Sequence, residues 1–112
     1  MTTTKAFNSY EIRIYGGNSE RVALALCFQA GGFVGRIDFY PDNEALPSDY
    51  LWFGEYIVLS MPVSRFDVVA NTLRQETPLQ LFIDVDAGTN AVTNGNGYLA
   101  TGQHEPIGEL AG

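Results

Sequence analysis

The alternation of apolar with polar or small side chains from Arg21 to Tyr40, interrupted by Gly31-Gly32, restricts this chain more than any other feature. A period of two marks a strand with one wet and one dry face. Val22, Leu24, Leu26 and Phe28 fall on one side of the first segment, with Ala23, Ala25 and Cys27 on the other. In the second segment Phe33, Ile37 and Phe39 alternate with Arg36, Asp38 and Tyr40. A glycine pair accepts the positive φ values of a two-residue hairpin turn. Such a turn at 31 and 32 sets Leu24 opposite Phe39, Leu26 opposite Ile37, Ala25 opposite Asp38 and Cys27 opposite Arg36. The oily sides then coincide, and a slip of one residue would undo the match. Upstream, Tyr10, Ile12 and Ile14 alternate with Glu11 and Arg13, and a loop around Gly16-Gly17-Asn18 brings Ile12 opposite Val22. Residues 9–40 therefore read as a three-stranded antiparallel meander.

Beyond the meander, residues 41–54 hold two prolines, several acids and the aromatic group Tyr50, Trp52 and Phe53, and read as a long loop. Residues 55–61 are strand-like and apolar on both faces, as a strand buried on both sides would be. Ser64-Arg65-Phe66-Asp67 approaches a capping box, and Phe66, Val69, Ala70 and Leu73 form one stripe at helical spacing, which predicts a helix over 64–75 ended by Pro78. Residues 79–84 and 98–101 are further strands. The order is ββββαββ, and the expected fold is mainly β (α+β): an antiparallel sheet, strongly curved or partly closed as a barrel, with the helix over one open end. Gly35 offers a place for a strand to bend. The chain reads as a single domain, 1–112, with frayed ends at 1–7 and 107–112.

Of the 112 residues, 46% are hydrophobic and 17% charged, a balance that excludes a disordered chain. No run approaches the ~20 apolar residues of a membrane-spanning helix, so no membrane role is expected. Thirteen acidic against six basic side chains give a net charge of -7, which would repel phosphate backbones and makes nucleic acid an unsuitable partner. Cys27 is the single cysteine, so no intrachain disulfide can form, and the first residues lack the apolar core of an export signal; both features point to a cytoplasmic protein.

Chemistry-bearing motifs are few. Asp84-Val85-Asp86-Ala87-Gly88-Thr89-Asn90 meets only the first positions of a calcium loop, with Gly95 where the bidentate glutamate belongs. The glycine runs lie between strands, where glycine is the ordinary turn residue, rather than before a helix that would hold a phosphate. One histidine, His104, cannot build a multi-histidine metal centre, and Cys27 has no histidine placed beside it to make a nucleophile. Asp38, Asp42, Glu44 and Asp49 read as a solvated acidic rim. No catalytic residue, metal or cofactor is expected.

The outer face of the meander is less ordinary. Ala23, Ala25, Cys27, Val34, Arg36 and Tyr40 make a band of small side chains flanked by an arginine and a tyrosine, suited to close approach by another surface. Either the loop carrying Tyr50 and Trp52 covers it or another subunit does. Trp52 and its neighbours would serve as core filling or as an interface anchor.

Pro62-Val63-Ser64-Arg65-Phe66, the run Leu73 to Phe82, Arg36 to Asp42 and Gly97 to Thr101 together resemble a family of small bacterial proteins without assigned function. The resemblance spans roughly half the chain and implies a stand-alone domain of bacterial type, with no catalytic residues to carry across. The expected function is a non-catalytic interaction or adaptor domain, with another protein or a second copy of itself as partner through the outer face of the 9–40 meander. The alternative is a small-molecule binding domain that uses Arg36, Tyr40 and Trp52 at the mouth of the curved sheet.

Overall fold

Two β-sheets and one helix make up the described part of the chain, residues 2–17, 20–86, 88 and 96–102, in this computed structural model. The strands are β1 (Thr2–Phe7), β2 (Ser9–Ile14), β3 (Ala23–Gln29), β4 (Gly32–Tyr40), β5 (Tyr50–Trp52), β6 (Tyr56–Pro62), β7 (Leu79–Asp84) and β8 (Tyr98–Thr101). The helix α1 (Phe66–Gln75) follows a 3-10 turn at Val63–Arg65. One sheet has the order β1-β7-β8 and the other β2-β3-β4-β6-β5.

The antiparallel meander β2-β3-β4 is present, and the expected strands at 79–84 and 98–101 match β7 and β8. The barrel is not: the sheets stay separate. Two features missing from the expected order account for this. Residues 2–7, expected to be frayed, form β1 and pair with β7 along their whole length, so the chain changes sheet at Asn8 between β1 and β2. β4 and β6 run parallel, because β5 returns along the far side of β6 and leaves β6 between itself and β4. A three-residue strand such as β5 is too short to show a period.

The register of the β3-β4 hairpin also departs from expectation, by one residue. Its turn is Ala30-Gly31, with φ of 52° and 83°, which satisfies a turn needing two positive φ values. A bulge then leaves Val34 unpaired between the pairs Phe28↔Phe33 and Cys27↔Gly35. Ala25 consequently faces Ile37 and Ala23 faces Phe39, while Leu24 faces Asp38 and Leu26 faces Arg36. Ile12 pairs with Ala25 rather than meeting Val22.

This slip reverses inside and outside. Ala23 and Ala25 are 2% and 1% exposed and belong to the core with Cys27, Ile37 and Phe39, so the expected outer band of small residues is an inner one. Volume matching explains the choice. The core lies between the sheets, where Leu79, Leu81 and Ile83 of β7 meet Ile57 and Leu59 of β6, with Val69 and Leu73 of α1 completing it. Large side chains on β4 fill that space only if β3 offers small ones beside them. Gly35 is a point of close approach, since a Cβ there would lie 2.5 Å from the carbonyl oxygen of Ile57 on the adjacent strand β6 and 2.8 Å from Leu81 Cδ1 of the other sheet.

The helix starts two residues later than expected, and Ser64 does not cap it by its side chain. Instead Asp42 Oδ1 accepts the Ser64 N–H at 2.9 Å and satisfies one of the unpaired donors of the 3-10 turn. Asp49 is buried and accepts the Ser60 N–H at 2.7 Å and the Gly97 N–H at 2.9 Å, tying the 41–49 loop to β6 and to the approach to β8. With Asp38 also buried, two of the four acids expected as a solvated rim are structural anchors, whereas Asp42 and Glu44 are exposed.

Candidate functional site

The β3-β4 register turns Leu24, Leu26, Phe28, Arg36, Asp38 and Tyr40 to the outer face of the five-stranded sheet. β6 and β5 add Tyr56, Val58, Tyr50 and Trp52, which stand opposite one another or opposite Arg36 on that same face. Arg36, Tyr40 and Trp52, nominated from the sequence as contacts, therefore share one surface. Ala23 and Ala25, nominated with them, face the other way into the core.

At the centre, Arg36 Nε donates to Asp38 Oδ1 at 2.9 Å and Oδ2 at 3.2 Å, and Arg36 Nη2 donates to the Tyr50 hydroxyl at 3.3 Å. Arg21 Nη1 reaches Asp38 Oδ1 at 3.4 Å. Asp38 is 2% exposed, and two guanidinium groups are what make a buried carboxylate tolerable. Burial alone pulls the Arg36 guanidinium down, but its hydrogen bond and charge interaction with Asp38 outweigh that, and the net direction is up. Burial, followed by the Asp38 charge, pushes the Tyr40 phenol up, so it stays neutral at ordinary pH. The plane of Trp52 lies against Arg36, with Cζ 5.2 Å from the ring centroid, a cation-π contact that orients the indole.

From Trp52 an aromatic cluster spreads across the strands. Phe33 meets Trp52 edge-on at 6.5 Å and Tyr56 at 5.1 Å, and Phe28 packs on Phe33 at 6.0 Å. At the β5-β6 turn Phe53 lies 4.9 Å from Trp52. Its backbone has φ of 54°, left-handed and unusual for a bulky side chain, and it is 80% exposed. The cluster could not be assembled from the sequence, because Phe28 and Phe33 meet only through the bulge and Trp52 joins them only through the parallel β4-β6 pair. The one visible signal was Trp52-Phe53-Gly54, an aromatic pair before a turn glycine.

Cys27 is fully buried beneath this face, and burial pushes its thiol up to about 12, so it holds no thiolate at neutral pH. His104 and most of the Asp84–Gly95 segment lie outside the described residues. A pocket of about 390 Å³ opens at the β1-β2 corner beside the end of α1, lined by Phe7, Tyr10, Leu73 and Glu76, away from the nominated residues. No helix among the described residues is long and apolar enough to cross a membrane.

Comparison with protein-family models, curated proteins and solved structures finds no match to this chain. Roles for its residues therefore come from the geometry above.

Proposed function

We propose that this chain is a non-catalytic interaction domain that binds another protein through the aromatic end of the five-stranded sheet, with Trp52 and Phe53 as anchors. The observation that carries this reading is Phe53. Its left-handed backbone costs about 1–2 kcal/mol for a residue bearing a Cβ, and its ring stands in water. Glycine would suit the backbone and the exposure better, and the ring's contact with Trp52 extends an exposed aromatic surface rather than the core. Aromatic side chains presented on a rigid base are the usual energetic centres of protein contacts. Arg36 supplies the base, because its contacts with Asp38, Tyr50 and Trp52 hold the indole in place before any partner arrives. The small-molecule reading has less support: Tyr40 is buried, and the charge of Arg36 is already met by Asp38.

The test uses the whole chain as bait in three forms: wild type, Phe53→Gly and Val68→Ser, the last altering an exposed apolar residue of the helix. Wild type and Val68→Ser should retain a common partner that Phe53→Gly loses, while Phe53→Gly melts at the same temperature or higher. Equal capture by all three forms would overturn the assignment.

A further inference from the structure

β2 is the terminal strand of the five-stranded sheet, and among the described residues nothing pairs with its second side. The Tyr15 N–H donates to the Val22 carbonyl at 2.9 Å, which sets the alternation of the ladder. Glu11 and Arg13 turn their main-chain groups toward β3, whereas Tyr10, Ile12 and Ile14 turn theirs to the open edge. The outward N–H and C=O groups of these three residues form a template for another strand unless lysine, proline or a bulge blocks it, and β2 has none of these. Ile14, at 71% exposure, leaves an apolar side chain in water at this edge. The other edges differ: β5 has three residues, β8 has four, and β1 carries Lys5.

We infer that β2 is a self-pairing edge, whose occupant is β2 of a second copy of this chain, running antiparallel about a two-fold axis at Ile12. Charge and hydrogen bonding select this register together. Centred on Ile12, the edge-facing residues Tyr10, Ile12 and Ile14 meet the partner's Ile14, Ile12 and Tyr10, so every outward N–H and C=O finds a counterpart. Glu11 meets Arg13 of the partner subunit, and Arg13 meets the partner's Glu11, giving two ion pairs on one face and Tyr10-Ile14 contacts on the other. These charged residues occupy non-hydrogen-bonded positions, where facing side chains are closest. A shift of two residues, the next one the hydrogen bonding permits, sets Glu11 against Glu11 or Arg13 against Arg13. In the single chain Glu11 and Arg13 pair with each other and remain half exposed, so the exchange of partners leaves no charge unmatched.

Sedimentation equilibrium on the full chain, from micromolar to several hundred micromolar, tests this. Wild type should show a monomer-dimer equilibrium. Glu11→Arg alone and Arg13→Glu alone should each weaken it by about tenfold or more, since like charges then face each other. An equimolar mixture of those two variants should form a heterodimer, and the double variant E11R/R13E should recover the homodimer. Ile12→Pro removes an N–H that the β2-β3 ladder does not use, so it should abolish dimerisation while circular dichroism and melting stay close to wild type. A monomeric wild type throughout this range overturns the proposal, as does a dimer insensitive to the charge reversals. Phe53→Gly, at the opposite end of the sheet, should leave the dimer unchanged, so loss of the aromatic site and loss of this edge are read separately.

Discussion

On β3, Ala23, Ala25 and Cys27 lie against the second sheet and offer nothing larger than a thiol, whereas Leu24, Leu26 and Phe28, each one residue along, lie on the face that carries rings and charges. The small side chains are inside and the large ones outside, the reverse of what residue size suggests. The inner face is limited by distance, because at Gly35 any side chain meets the backbone of Ile57 on the adjacent strand β6 and the Leu81 side chain of the other sheet. Among the described residues the outer face has no second sheet, so it builds its own cover from aromatic rings standing around an ion-paired arginine. Close packing specifies the first face, and polar satisfaction specifies the second.

The sharpest way to break this contrast is Gly35→Val. Its Cβ must displace the Ile57 carbonyl or Leu81, and a clash with backbone has no flexible neighbour to absorb it. A loss of about 3–5 kcal/mol is expected in urea unfolding, and a loss below about 1 kcal/mol would show that β6 and the Leu81 side chain give way easily. On the outer face, Asp38→Ala leaves Arg36 and Arg21 without their carboxylate. Partial exposure of both arginines tempers the penalty to about 2–3 kcal/mol. The Trp52 fluorescence should shift as Arg36 leaves the ring, whereas an unchanged spectrum would separate the indole from the charge network.

The smallest effect concerns Asp49, which ties β6 of one sheet to the approach to β8 of the other. Asp49→Asn turns an amide NH2 toward one of two N–H donors, for an expected loss of about 1–2 kcal/mol. Burial raises the Asp49 carboxyl above its ordinary value of 3.8, with the Ser60 and Gly97 N–H groups opposing that shift. The folded chain therefore favours the protonated acid more than the unfolded chain does. The stability this group contributes is fully present below the ordinary carboxylate range and is lost as pH rises through the elevated folded value. Melting temperatures across that range, wild type minus Asp49→Asn, should decline as pH rises; a flat difference would place the carboxyl at its ordinary value.

Much of this was legible in the residues. Alternation marked β3, β4 and β7 to within two residues, and the stripe Phe66, Val69, Ala70 and Leu73 marked α1, because both periods are properties of a few neighbouring residues. β1 was not legible: Thr2, Thr3 and Thr4 alternate too weakly, and only pairing with β7 makes them a strand. At the site, Arg36, Tyr40 and Trp52 were recognisable as unusual surface residues, yet Phe33, Phe53 and Tyr56 were not attached to them. Those rings meet across a bulge and a parallel strand pair, and neither leaves a local pattern.

What the amino-acid order determined by itself was where the helix and every strand except β1 and β5 form and which residues of a strand share a face, since each follows from backbone geometry over a few positions. Which face turns inward, the one-residue register of the hairpin and the place of β6 between β4 and β5 were decided only in three dimensions. They depend on how much volume the opposing sheet brings, and no segment carries that information alone.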